Sequence, residues 1–296
     1  MKKLISTLIA LSVAGGFSAT VAADQFYIDI GVNDGGNANA ANGDLTHTGW
    51  LDQLAYRYQS TSVITDGGVG GVNSLTAGDT ILSKGGIEND NFDGSTFANL
   101  QNSLTNNLIN NFEPAQIGGS GPSNNGYLNG ALTWTITFGF DDLMGTWNGS
   151  GFNYTSGTIS MYYYDNTMNN SSELVRLFDM SVVSGGDTGQ ATVLNGMLTN
   201  FGDPSSVNGV DAGDVFNFAL GSFGDLSGPP NNQMVTFNVS QDTQPLGPLN
   251  FVGGSASTSG THNGSINFTQ VPEPASLAIL SLGLLGFAGA KRRKAK

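Results

Sequence analysis

The sequence predicts an all-β protein whose body is an antiparallel β-sandwich of the jelly-roll type. Several short segments alternate apolar with polar residues, as half-buried strands do. Glycine makes up 43 of the 296 residues, and glycine-rich turn signals separate the alternating segments. We expect at most one short helix in the body, with a signal helix before it and a short transmembrane helix after it.

The clearest strand is predicted at residues 132–140. Large apolar residues at the even positions alternate there with Thr133, Thr135 and Thr137, so the threonines are expected to face solvent. Further strands are predicted at residues 26–30, 54–64, 157–165, 174–183, 192–198, 234–240 and 265–269. Turns are predicted at residues 66–68, 185–187 and 229–231, where Gly, Pro, Asp and Asn cluster.

Two further segments depart from simple alternation. Residues 97–112 carry apolar side chains at intervals of three and four, which predicts a helix stopped by Pro114. An asparagine-rich loop draped on the sandwich is the alternative. Residues 72–81 resemble residues 207–216, and in both a Gly-Asp pair precedes β-forming residues. This repetition favours a glycine turn that feeds a strand over a duplicated ligand-binding turn.

Residues 1–23 have the three parts of a secretory signal. Lys2 and Lys3 are followed by an apolar run at 4–14 and by small residues that end at Ala23. We therefore expect cleavage between Ala23 and Asp24. The run is too short to span a hydrocarbon core of about 30 Å.

Residues 271–296 form a second unusual end. Pro272, Glu273 and Pro274 precede an apolar stretch at 277–290, and a basic cluster follows at 291–294. As a helix, that stretch would reach about 21 Å, a short transmembrane span. The basic cluster should stay cytoplasmic, which leaves the body outside.

This order of residues resembles the PEP-CTERM sorting signal of Gram-negative bacteria. The resemblance implies an exosortase, a membrane cysteine protease, as the processing partner, with cleavage near Pro272–Pro274. It also implies association with exopolysaccharide, biofilm and floc formation. The general layout is similar to that of floc-associated members, which places the mature protein on the outer surface or in the extracellular matrix.

The body between these ends, residues 24–270, is strongly acidic. It holds 22 acidic residues against three basic ones, Arg57, Lys84 and Arg176, which gives a net charge of −19. Nucleic acid and anionic lipid are poor partners for such a surface, whereas divalent cations are attracted to it.

The residues that usually carry catalysis are scarce. There is no cysteine, and both histidines, His47 and His262, lie in polar, glycine-rich stretches where we expect solvated loops. Asp141 and Asp142 follow the clearest predicted strand and are expected to cap a turn. We therefore predict that the protein is not an enzyme and needs no cofactor.

Calcium is the one ion for which the sequence offers ligands. Asn89, Asn91 and Asp93 place oxygen donors at alternate positions before Gly94, as in the first half of a calcium loop. The twelfth position is Leu100 rather than glutamate, so no EF-hand is completed. An asparagine-glycine loop without an ion is the alternative.

Trp147 is the residue best suited to contact a glycan, because it lies between glycines in a predicted loop, whereas Trp134 is on the predicted core face. The sequence therefore supports two main hypotheses. The first is a structural or adhesive component of the cell envelope or matrix. The second is an extracellular glycan-binding module, with or without a requirement for calcium. An exported hydrolase is a third hypothesis, and no motif supports it.

Overall fold

The computed structural model describes residues 23–31, 47–67, 75–90, 134–165, 174–187, 191–201, 205–228, 234–242 and 249–271, with the backbone of 108–113, 127–128 and 131–132. Seventeen strands lie within these ranges. They are β1 Phe26–Ile28, β2 Gln53–Thr65, β3 Thr80–Gly86, β4 Leu108–Glu113, β5 Tyr127–Leu128, β6 Ala131–Leu132, β7 Trp134–Trp147, β8 Phe152–Ser156, β9 Thr158–Asp165, β10 Leu174–Asp187, β11 Ala191–Thr199, β12 Ser206–Val207, β13 Val210–Asp211, β14 Phe216–Phe218, β15 Gly221–Ser222, β16 Met234–Asp242 and β17 Ser255–Val271.

The main sheet is antiparallel and closes on itself. Its neighbours run β11-β16-β17-β2-β3-β7, and β7 pairs with β9 as well as with β8. Strand β9 pairs with β10, which pairs in turn with β11. The prediction of an all-β, sandwich-like body is therefore confirmed, and eight long strands form a ring in which each has two neighbours.

The longest ladder joins β2 to β17. Twelve residue pairs run from Thr65↔Ser255 to Leu54↔Ile266. Along β2 every second side chain is buried, from Leu54 to Ile64, so one face of the strand points into the sandwich. The inward residues change character along the strand, from Leu54, Tyr56 and Tyr58 to Ser60, Ser62 and Ile64.

The interior consequently has two apolar clusters. The larger one contains a group of packed phenylalanines at the end of the body where β17 stops: Phe26, Phe178, Phe216, Phe223, Phe268. Ring centroids within this group lie 5.1 to 5.9 Å apart for several pairs, such as Phe178–Phe216 and Phe178–Phe268. The smaller cluster closes the opposite end and contains Ile64, Ile81, Phe152, Phe251 and Ala256.

Helical structure is minor, as expected. Within the described residues there is one α-helix, α1 at Phe223–Ser227, and one 3-10 turn at Ala212–Asp214. The Ser222 hydroxyl accepts the Asp225 amide as an N-cap. Phe223 points into the phenylalanine group, so this short helix is held by core packing.

The predicted strands are present, most of them longer than expected, although β1 ends at Ile28. The helix predicted up to Phe112 is wrong at its C-terminal end, because β4 pairs with β2 there and Phe112 lies opposite Leu54. The start of that segment lies outside the described residues. The turn predicted at 185–187 is also wrong, since these residues continue β10 and pair with β11. Cross-strand pairing has overridden the local turn preference of glycine.

Strand β7 corrects two expectations. Thr135 and Thr137 are 0% exposed, so the threonine face is not solvated; the strand is covered on both faces at this point. Asp141 and Asp142 do not cap a turn after the strand, because β7 runs through them to Trp147. Both side chains are exposed, and Asp142 accepts the Thr158 amide at 2.6 Å.

The repeated Gly-Asp segments behave as predicted for turns. The buried Asp79 carboxylate accepts the amides of Gly67 and Thr76, both at 2.9 Å, just before β3 begins. Asp214 accepts the Ser222 hydroxyl and precedes β14. Burial raises the pKa of Asp79, but the hydrogen bonds from Gly67 and Thr76 outweigh it and leave that pKa below its usual value.

Candidate processing site at one pole of the body

The start of the body is hydrogen-bonded to its end. Strand β2 stops pairing with β17 at Ile266, and Asp24 occupies the place beyond it. The Asp24 amide donates to the Phe268 carbonyl at 3.0 Å, and the Asp24 carboxylate accepts the Gln270 amide at 2.7 Å. Asp24, the residue predicted to begin the mature chain, is thus hydrogen-bonded to the end of β17, just before the Pro-Glu-Pro sequence.

The other edge of β17 is paired to its last residue. Met234 of β16 lies opposite Val271, and Val235 lies opposite Gln270. Pro272, which follows, has no amide hydrogen with which to extend the ladder. The sorting segment therefore leaves the body directly from a paired strand. Pro272, Glu273 and Pro274 themselves lie outside the described residues.

We call this end of the molecule the terminal pole, defined by Ala23–Gln25, Trp50, Ala219–Leu220 and Gln270. These residues line a cavity of about 400 Å³. Leu220 is 76% exposed in the two-residue turn between β14 and β15. Beneath it, Phe218 packs on Phe223 with ring centroids 4.5 Å apart, so the turn rests on the phenylalanine group.

His47 supports the terminal pole and is not a solvated loop residue as predicted. Its Nε2 lies 3.1 Å from the Asp29 carboxylate, and its side chain is nearly buried. The ring of Tyr27 lies between His47 and Trp50, with centroid distances of 4.9 and 5.2 Å. Burial, helped by the charge of Asp29, raises the pKa of Tyr27. Sequence reasoning missed this contact because residues 29 and 47 meet only through the isolated bridge that pairs them.

A second candidate site lies inside the sandwich, between the two apolar clusters. It is a cavity of about 90 Å³, large enough for several water molecules. Its polar lining includes the carboxylate of Asp187 and the side chains of Ser60, Ser62, Ser83, Thr192, Gln241 and His262. We call it the hydroxyl cavity.

The groups around the hydroxyl cavity are hydrogen-bonded to one another. Ser60 Oγ lies 2.8 Å from His262 Nε2, and Ser62 Oγ lies 2.8 Å from Ser83 Oγ. The Tyr58 hydroxyl donates to Gln241 Oε1 at 2.8 Å. Buried polar groups without such partners would destabilise the fold, so this network makes the cavity tolerable.

His262 was also predicted to be a solvated loop residue, and this is wrong. It lies in β17, opposite Tyr58, and its ring stacks on the tyrosine at 4.9 Å. Burial lowers the pKa of His262, although the nearby Asp242 opposes the shift. The imidazole is therefore neutral at neutral pH.

A serine beside an imidazole is the pairing of a nucleophile with its base. A triad would also need a carboxylate that orients the imidazole. Both nearby carboxylates are engaged elsewhere. Asp242 accepts the Asn263 amide at 2.8 Å, and Asp187 accepts the Phe152 amide at 3.1 Å and the Thr192 hydroxyl. In the part of the chain that the structure describes, no complete triad is assembled around Ser60 and His262.

Of the predicted calcium ligands, Asn89 is the one that lies within the described residues. Asn89 is buried, and its backbone amide donates to the Gly86 carbonyl at 3.2 Å. The adjacent Asp90 is paired with Lys84 at 2.8 Å. Asn91 and Asp93 lie outside the described residues. Among the ranges that are described, no three His, Asp or Glu side chains cluster as a metal site would require. Calcium binding here stays a prediction.

Trp147 is not in a loop, because it is the last residue of β7. Its amide donates to the Asp79 carbonyl at 2.7 Å, and its carbonyl accepts the Gly78 amide at 2.9 Å. The indole packs edge-on against Phe152 at 5.0 Å and remains half-buried. Hydrogen bonds to the Gly-Asp turn before β3 thus carry β7 as far as Trp147, beyond residue 140, where the sequence pattern predicted that it ends. Glycan contact by Trp147 stays a prediction.

Residues 270–294 match the family model of the PEP-CTERM protein-sorting motif. The motif begins on the last two paired residues of β17, so its first positions belong to the folded body. A chain with this motif is an exported protein targeted to the cell surface, and an exosortase is the enzyme that targets it. Specifically, this protein carries the PEP-CTERM sorting motif that the Pro272–Pro274 pattern predicted.

Neither a curated protein nor a solved structure matches the chain. The described residues contain no helix long and apolar enough to cross a membrane. The predicted signal and transmembrane segments, 1–23 and 277–290, fall outside the described residues, apart from Ala23.

The first prediction concerns the tie between Asp24 and Gln270. Replacing Asp24 with Ala should speed hydrogen exchange at the Gln270 amide by about fivefold, because a partly buried hydrogen bond worth about 1 kcal/mol is lost. Asp141→Ala, an exposed aspartate in β7, serves as the matched control. Exchange at Gln270 that is the same in both variants would show that Asp24 does not hold the strand end.

The second prediction concerns His262. Because its pKa in the fold is lowered, the unfolded chain binds a proton first as the pH falls below about 6.5, and the fold loses stability. The free energy of unfolding should therefore fall more steeply between pH 6.5 and 5 for the native protein than for His262→Gln, by up to about 1 kcal/mol per pH unit. Denaturant titrations at several pH values measure this, and parallel pH profiles would contradict it.

Proposed function

We propose that the protein is a structural or adhesive component of an exopolysaccharide-rich matrix, of the kind that supports biofilm or floc formation. The observation that carries the proposal is the junction of a sorting motif with a closed, acidic β body. An exported body of this kind presents a large acidic surface to its surroundings.

The charge of the body supports a matrix role. Two of its three basic side chains are already paired, Lys84 with Asp90 and Arg176 with Asp179. Three basic side chains can pair with only a few of the 22 carboxylates of the body. Exposed acidic residues are Asp52, Glu88, Asp141, Asp142 and Asp211. Such a surface repels its own copies unless cations screen or bridge it, so divalent cations would link it to acidic polysaccharide.

The closed ring of strands also fits an extracellular protein without cysteines. A sheet with free edges can pair with other chains and aggregate. The ring leaves few such edges among its long strands, and the interior is held by aromatic packing rather than by disulfides. The body can therefore persist outside the cell at high local concentration without edge-to-edge association.

Glycan binding is the second candidate function, and the aromatic side chains beside the hydroxyl cavity favour it. The cavity itself, at about 90 Å³, has room for water molecules rather than for a sugar ring, so a glycan would bind at the surface next to it. Tyr154 and Phe152 line the same cavity, and Trp147 packs on Phe152. Trp147 would offer an aromatic face next to the polar groups of the cavity.

The third prediction tests processing. Mass spectrometry of the protein isolated from the cells that produce it should find Asp24 as the first residue and a C-terminus near Val271. The processed body should be recovered in the matrix or on the outer surface. Mature protein that retains residues 291–296 would reject the sorting step and leave a plain membrane anchor.

The fourth prediction separates the two candidate functions. A glycan module should bind the producing cell's polysaccharide saturably, and Trp147→Ala should weaken binding several-fold by removing an aromatic face. Trp50→Ala, at the opposite pole, is the control. Binding measured with and without a chelator shows whether a divalent cation is needed. If both variants bind the polysaccharide equally, weakly and without saturation, and salt reduces that binding, there is no specific glycan site. The structural role would then be the remaining function.

A further inference from the structure

Two segments predicted to enter the membrane leave the body from the same place. The signal segment ends at Ala23, and Ala23 and Gln270 line the same cavity at the terminal pole. The sorting segment leaves from Val271, one residue further along β17. While either segment is still attached, the terminal pole is the part of the body closest to the membrane.

The available chain length sets how close that is. Five residues, 272–276, separate the paired end of β17 from Leu277, where the apolar stretch begins. Even fully extended, this linker reaches only about 20 Å. The opposite end of β17, at Ser255, is about 55 Å away along a strand of 17 residues. The linker therefore holds one pole, and not the other, at the lipid surface.

The terminal pole carries the side chains that such a position favours. Leu220 is 76% exposed at the tip of a two-residue turn, a place usually occupied by Gly, Asn or Asp. Trp50 is half-buried nearby, and tryptophan is enriched at the boundary between lipid and water. Asp24 lines the same cavity, and Asp52 accepts the Gln25 side chain at 2.9 Å. Both are acidic, so attraction to anionic lipid plays no part.

We propose that, before the sorting segment is removed, the terminal pole rests on the outer face of the membrane, with Leu220 and Trp50 in contact with lipid. This inference rests on the proposed function, together with the prediction that the sorting segment anchors the protein in the membrane until it is removed. Contact of this kind keeps the Pro-Glu-Pro sequence at the membrane surface, within reach of a membrane-bound protease. Removal of the segment frees the body, because one leucine and one tryptophan bury too little apolar surface to hold an acidic protein on a bilayer.

The chain lacks cysteine, so single labelling sites are easily made. Leu220→Cys and Val252→Cys form a matched pair. Val252 is a 72% exposed apolar residue in the turn before β17, at the opposite end of the body. Each variant keeps its sorting segment and is labelled at the new cysteine with an environment-sensitive fluorophore. It is then reconstituted into phosphatidylcholine vesicles in which some lipids carry a nitroxide quencher on the headgroup.

We expect both variants to float with the vesicles, and the fluorophore at position 220 to be quenched several-fold more than the one at position 252. A chain that ends at Val271 should neither float nor be quenched. If the vesicles float with the protein but quenching is equal at both positions, or absent at 220, the terminal pole does not contact lipid. The proposal would then be wrong, although the membrane anchor would stand. Failure of the intact chains to float would overturn both the anchored stage and this proposal.

Discussion

The fold depends on the ladder between β2 and β17. It joins residues 54–65 to residues 255–266 and completes the ring of strands. Its inward face supplies Tyr56 and Tyr58 from one strand and Ile266 from the other, all buried in the larger apolar cluster. Because its partners are some 200 residues apart, the ladder carries a large loop-closure cost that only extensive pairing offsets.

This ladder also links folding to sorting. The ring cannot close until β17 is present, and β17 runs directly into the sorting motif. The N-terminal segment then adds its own tie, through Asp24 to Phe268 and Gln270. The two ends of the body at which we predict processing are therefore neighbours in space because of the closure, although they are far apart in sequence. Both the docked pole and the hydroxyl cavity follow from the same register of β2 against β17.

Sequence reasoning predicted what depends on local pattern. Alternation identified β2, β9 and β16, and the Gly-Asp turns before β3 and β14 followed from turn chemistry. It failed where distant partners decide. Residues 185–187 look like a turn but pair with β11, and Leu108 and Phe112 look helical but pair with β2. His47 and His262 lie in polar stretches, which suggested solvated loops. In the fold, His47 contacts Asp29 and His262 stacks on Tyr58. Each contact joins residues distant in sequence, so no local pattern predicts it.

The sorting motif was predictable because its order of residues is local and distinctive. Its junction with a paired strand was not predictable, because the pairing depends on distant residues.

The most direct test of the closed ring is the distance between the two ends of the body in solution. Spin labels at Gln25→Cys and Met234→Cys, the latter opposite Val271, report on the terminal pole by pulsed electron paramagnetic resonance. The closed ring predicts a single short distance, within about 20 Å, and a distance on the order of 50 Å from position 25 to position 252. A broad distribution beyond about 40 Å for the first pair would contradict the closure on which the account rests.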